Sequence, residues 1–141
     1  MVRTLPLLAL VVAACETTTP TFQLKVGEPV DVTLRLGETG VFGNDPLRVT
    51  LVSVPEDSRC PQDVVCVWEG NGKAILTLAL GTAFEQSYDV NTSGAPNTVS
   101  VGSYRLQLIQ LSPYPVSTSP IPQNDYRVRL RVERVPPPPL N

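Results

Sequence analysis

Residues 126–135 alternate more cleanly than any other part of the chain. Tyr126, Val128, Leu130 and Val132 fall on one face, and Arg127, Arg129 and Arg131 on the other. An apolar–polar period of two is the pattern of a strand with one buried face, and an amphipathic helix cannot produce it. The same period recurs along the chain. Phe22, Leu24 and Val26 alternate with polar neighbours, as do Val30, Val32, Leu34 and Leu36. Ala74, Leu76, Leu78 and Leu80 follow it, then Phe84, Gln86, Tyr88 and Val90, and later Tyr104, Leu106 and Leu108. Residues 47–54 are apolar on both faces apart from Arg48, Thr50 and Ser53, as expected of a more central strand. Residues 98–101 make a further short strand.

Turn chemistry separates these runs. Gly27-Glu28-Pro29, residues 37–40 and residues 43–46 read as turns, Gly81-Thr82 as a hairpin connection, and residues 91–97 as a polar turn. Fifteen prolines and nine glycines in 141 residues favour short strands over long helices. About eight or nine strands of this kind predict an all-β chain, a single antiparallel β-sandwich or a small barrel. The alternation alone does not choose between the two. The expected inward set is Phe22, Leu24, Val32, Leu34, Leu51, Trp68, Leu76, Leu78, Tyr104, Leu106, Leu108, Val128, Leu130 and Val132. The arginine row of residues 127–131 suits either an anionic surface or a charged solvent face that discourages edge pairing, and the second is favoured.

Two segments stand apart from the strand pattern. Residues 56–70 hold two of the three cysteines, the single tryptophan and the densest cluster of charge. Cys60 and Cys66 should pair in an oxidising compartment, stapling the loop and contributing roughly 2–2.5 kcal/mol by chain entropy. Trp68 is expected to share a strand face with Cys66 and cover the disulfide. Asp57 and Arg59 flank Ser58 and can form an ion pair. Residues 112–125 form a second long connection, with Pro113, Pro115, Pro120 and Pro122 and three apolar groups, Tyr114, Val116 and Ile121. Long connections without regular structure are often functional. Asp57, Arg59, Trp68, Glu69, Tyr114 and Ile121 are the candidate binding residues.

Asp57-Ser58-Arg59-Cys60-Pro61, followed by Cys66-Val67-Trp68 and Gly70, resembles a signature of small, poorly characterised bacterial lipoproteins, with a weaker echo in Tyr104-Arg105-Leu106 and Pro113-Tyr114-Pro115. The resemblance implies no particular reaction or ligand. The start of the chain fits it. Residues 1–14 combine Arg3, an apolar run and the small residues Ala13 and Ala14 in the manner of a secretory leader. The run is too short to span about 30 Å of hydrocarbon. Cys15, directly after the small residues, resembles a lipobox cysteine, which implies cleavage before it and its lipidation. Residues 15–21 then form the lipidated cysteine and a short tether, residues 22–135 the β-domain, and residues 136–141 a proline-rich tail in the polyproline II conformation. Lipidation of Cys15 leaves Cys60 and Cys66 as an even pair, and export places them where disulfides persist.

These features lead to a membrane-anchored protein of the bacterial cell envelope. Glu16, rather than aspartate, beside the lipidated cysteine favours the periplasmic face of the outer membrane in a Gram-negative cell. Loss of Arg3 with the leader leaves ten basic against thirteen acidic residues, a net charge near −3. That balance argues against nucleic-acid binding. With no histidine, a Ser-His-Asp set and the common zinc sets are missing. No catalytic residue, cofactor or metal is expected. The expected function is a non-catalytic binding or structural module that meets an envelope protein through its stapled and proline-rich loops. The alternative is a protease inhibitor presenting the stapled loop. Thiol redox chemistry or copper binding at Cys60 and Cys66 ranks below both.

Overall fold

The alternating runs pair into two separate sheets, which makes the fold a β-sandwich rather than a barrel. The computed structural model describes residues 19–44, 46–83, 85–117 and 119–136. The leader, Cys15, the first part of the tether, Phe84 and all of the tail beyond Pro136 lie outside the described residues. The strands in chain order are β1 (Thr21–Phe22), β2 (Val30–Arg35), β3 (Thr39–Phe42), β4 (Leu47–Asp57), β5 (Gly72–Leu80), β6 (Gln86–Asn91), β7 (Thr98–Val101), β8 (Tyr104–Ser112) and β9 (Arg127–Arg134). One sheet has the order β1-β3-β4-β5-β6 and the other β2-β9-β8-β7. Every pairing is antiparallel except that of β1 with β3, which is parallel.

Burial follows the period of two. Val128, Leu130 and Val132 of β9 are fully buried, while Arg129 and Arg131 between them are exposed. Leu34, Leu51, Leu76, Leu106 and Leu130 from both sheets meet in one core, each worth about 1.5–3 kcal/mol of apolar burial. Phe22 stacks on Phe42 with ring centroids 5.1 Å apart and closes the core beside β1.

Four expectations are corrected here. Residues 37–40 are not all turn, because Thr39 and Gly40 open β3 and pair with Thr50 and Val49. A Cβ at Gly40 would sit 3.0 Å from the Phe42 ring, so tight packing disfavours a larger residue at a position that reads as a turn. The first run does not continue past Phe22 as a strand; Val26 is 55% exposed and makes only an isolated bridge to Arg134. Trp68 does not belong to the inward set, for reasons given below. Finally, the arginine row does face solvent, with Arg129 and Arg131 exposed, but it guards no edge, because β9 lies between β2 and β8. Its arginine row is answered from β2. Asp31 accepts from Arg131 Nε at 2.8 Å and from Arg129 Nη2 at 2.9 Å. Those arginine hydrogen bonds hold the Asp31 carboxyl below its ordinary value.

The two ends of the sandwich differ. At the end called upper here, Asp57 pairs with Gly72, Ser112 with Arg127, and Arg35 with Arg127. The connections at residues 58–71 and 113–126 both lie there. β1 runs from the upper side downward alongside β3, so the chain enters the fold from that side. Thr19 and Pro20 line an open groove with Arg35, Glu38 and Arg127. Val26 and Val135 bond to Arg134 and Ser103 at the lower end.

Candidate functional site

The two loops that break the strand pattern are joined, and Arg59 joins them. β4 ends at Asp57, and the chain turns back so that Arg59 crosses the mouth of the sandwich between Gly72 and Leu111. Arg59 Nε and Nη2 donate to Asp57 Oδ1 and Oδ2 at 2.7 and 2.6 Å. Its Nη1 donates to the Leu111 carbonyl, and Nη2 also reaches the Pro113 carbonyl at 2.8 Å. The guanidinium carbon lies 5.0 Å from the centroid of the Tyr114 ring, a cation–π contact. Tyr126 Oη completes the set by donating to Asp57 Oδ2 at 2.9 Å.

This pair differs from a surface salt bridge. The Arg59 and Asp57 side chains are only 4% and 9% exposed. Burial pushes the Asp57 carboxyl up, and the hydrogen bonds from Arg59 and Tyr126 more than offset it, so the group lies below its ordinary value. Burial and the neighbouring carboxylate push the Tyr126 phenol up to about 12. A charge in this setting must be paired, and each group here satisfies the others.

Further bonds tie the same two loops. Gln62 N donates to the Pro115 carbonyl at 3.0 Å. Asp63 accepts from both the backbone N–H and the hydroxyl of Ser117, and these bonds hold its carboxyl below the ordinary value. Gln123, in a single 3-10 turn (Gln123–Asp125), donates to the Val54 carbonyl at 2.8 Å and accepts from the Val54 N–H at 3.1 Å. It thereby supplies the partner that β3, paired with β4 only over Leu47 to Thr50, does not. On the other side the stapled loop is held to the end of β6. Asn71 bonds Asn91 and the Ser93 N–H, and Glu69 accepts from the Ser93 hydroxyl at 2.6 Å.

Cys60 and Cys66 are disulfide-bonded, with Cα atoms 5.9 Å apart. At the base of the loop, Gly70 has φ +69°, and a Cβ there would lie 1.8 Å from the Ser58 carbonyl oxygen. Only glycine allows the two limbs to approach so closely.

Trp68 does not cover the disulfide. The expectation assumed strand geometry from Cys66 to Trp68, but the backbone there consists of turns and bends, and β5 begins only at Gly72. Trp68 is 82% exposed, beside Val67 at 88% and Val65 at 100%, with Val64 half exposed. The loop thus carries an apolar tip on a braced base. Of the other candidate residues, Asp57 and Arg59 are interior, Glu69 is engaged with Ser93, and Tyr114 is partly exposed over Arg59. Ile121 packs against the core rather than standing free, as its place beside four prolines had suggested. Beneath it, an open groove of about 380 Å³ runs between the loops, with Pro55, Pro61 and Pro115 in its walls.

Sequence reasoning missed the valines of the tip, Gln123 and Tyr126 as site residues. A signal for the valines was present: Val64, Val65 and Val67 are apolar without alternation inside a polar segment. Among the described residues no group of three or more His, Cys, Asp or Glu is placed to hold a metal ion, and no helix is long and apolar enough to cross a membrane. Comparison with protein-family models, curated proteins and solved structures gives no match.

Proposed function

We propose that this chain is a non-catalytic, lipid-anchored module of the bacterial cell envelope, whose joined upper loops form its contact surface. One observation carries the reading: Val65, Val67 and Trp68 stand almost wholly in water on a loop braced by a disulfide and by a buried ion pair. Single exposed apolar residues are ordinary, but three almost fully exposed ones within four positions of a braced loop, one of them tryptophan, are characteristic of contact surfaces. Bracing lowers the ordering cost of binding. The expected lipid on Cys15 supplies the envelope address, and the outer membrane remains the favoured one. Cross-linking in intact cells tests the reading. A photoreactive group at residue 67 should capture an envelope component, and the same group at residue 25, at the lower end, should not. Equal labelling from both positions would refute it.

The inhibitor reading draws on the same loop. Arg59, its one cationic side chain, is buried, so a protease would have to accept Val64 or Val65. Absence of inhibition across a protease panel at micromolar concentration removes it.

A further inference from the structure

We infer that the Val65–Val67–Trp68 tip dips into the headgroup layer of the same bilayer that holds the lipid on Cys15, making a second membrane contact. The inference rests on the lipid-anchored reading above and names the partner of that contact surface.

The first argument is reach. Cys15 precedes Thr19 by four residues, no more than about 14 Å of extended chain. Thr19 stands two residues ahead of Thr21, which pairs with Val41, itself paired with Arg48. In register, that places Thr19 near the level of Thr50 and its partner Thr77. From Thr77 to Gly72, where the stapled loop begins, β5 climbs five residues, roughly 17 Å. Thr19 and Pro20 line the groove with Arg35 and Arg127 of the upper end, which favours an orientation with that end toward the membrane, and in that orientation the tether is shorter than the climb and holds the upper loops at the bilayer surface. Laterally, β4 is only two strands from β1, roughly 10 Å. In that orientation the stapled loop is one of the two joined connections that meet the bilayer.

The second argument is chemistry. A loop forced against a bilayer is tolerated in the interface if its tip is apolar and its backbone is satisfied. Val65, Val67 and Trp68 present apolar groups, and tryptophan favours the headgroup level. The limbs below are hydrogen-bonded to each other, Ser58 N to the Asn71 carbonyl and Cys60 N to the Glu69 carbonyl.

The third argument selects the lipid. Residues 60–72 contain no Lys or Arg, and Arg59 is neutralised by Asp57. Asp63 and Glu69 leave the loop acidic. Attraction to anionic headgroups is therefore missing, and the contact suits a bilayer of net-neutral lipids, held by apolar burial and insensitive to salt.

Trp68 is the only tryptophan in the chain, so its fluorescence reports this site alone. The test uses the native chain, extracted from membranes and reconstituted in phosphatidylcholine vesicles carrying bromine on the upper acyl carbons, beside the soluble Cys15→Ser form. Trp68 emission should shift to the blue and be quenched by the brominated lipid in the reconstituted form only, unchanged by added salt. The double variant Val65→Asp/Val67→Asp, which alters only exposed positions, should return Trp68 to water with the fold intact. Three outcomes overturn the inference. Acylated protein whose Trp68 stays as open to aqueous quencher as in the soluble form would sink it while leaving the anchored reading standing. Shielding that appears only with envelope protein present would assign the tip to a protein partner. An unacylated native N-terminus would remove both readings together.

Discussion

The guanidinium of Arg59 lies in a forked pair with the Asp57 carboxylate, and both side chains are more than nine-tenths buried at the mouth of the sandwich. The two residues are separated by one serine, yet the arginine's other bonds go to carbonyls 52 and 54 residues away. A local pair thus fixes a long-range junction.

Arg59→Ala should therefore be costly. It would leave Asp57 buried without its cation and the Leu111 carbonyl without its donor. Breaking one partner of a buried pair costs about 3–5 kcal/mol, to be read as a lower urea midpoint. Arg59→Lys should fall between, because a single ammonium cannot reproduce the fork. Limited proteolysis should cut residues 113–122 faster in both variants. A loss below about 1 kcal/mol for the alanine variant, the range of a surface pair, would contradict this role.

Two glycines with similar backbone conformations should respond differently. Gly70 and Gly27 have φ of +69° and +80°. Alanine at position 27 meets nothing within 4 Å, so only the conformational cost of about 1–2 kcal/mol applies. Alanine at position 70 must also displace the Ser58 carbonyl. Thermal unfolding of the two variants should place Gly70→Ala clearly below Gly27→Ala.

Stability should fall at both extremes of pH, for separate reasons. Asp57 has a folded value below its ordinary 3.8, so its contribution is present above that pH and is lost as pH falls through the folded value. Tyr126 is raised from 10.0 to about 12, so its contribution is complete below pH 10 and is lost as pH rises from there to about 12. Tyr126→Phe should flatten the alkaline limb and weaken the acid limb only in part, because Asp57 loses the Tyr126 hydrogen bond but keeps those from Arg59. Denaturation midpoints across the pH range check both signs.

Cys60→Ser/Cys66→Ser should lower stability by roughly 2–2.5 kcal/mol through loop entropy. The emission of Trp68 should change little in the soluble domain, since the indole already stands in water. A large shift would indicate that the ring rests on the disulfide after all.

Much of the sandwich was legible because its strands bury one face and leave the other in water. In β2, β5, β8 and β9 the inward residues follow the alternation directly. β3 was hidden because Gly40, which reads as a turn residue, lies within a strand, packed closely against the Phe42 ring. The disulfide followed from the Cys60–Cys66 spacing together with the expectation of an oxidising compartment. The interior position of Arg59 was not legible, since its acceptors are backbone carbonyls of a remote loop, and a carbonyl leaves no mark on residue identity. Trp68 was misplaced because composition favours burying an indole, whereas the bends after Cys66 turn it outward.

The Gln123 amide has a consequence for self-association. Above Leu51, which still bonds Gly37 and Glu38, β4 has no strand on that flank among the described residues, and the vacated flank of a β-strand is a template for any foreign strand that can dock there. By clasping both backbone groups of Val54, Gln123 plugs that seam from within the molecule. A chain deprived of the plug, as in Gln123→Ala, would offer a sticky flank, and concentrated solutions of it should aggregate where the parent stays clear.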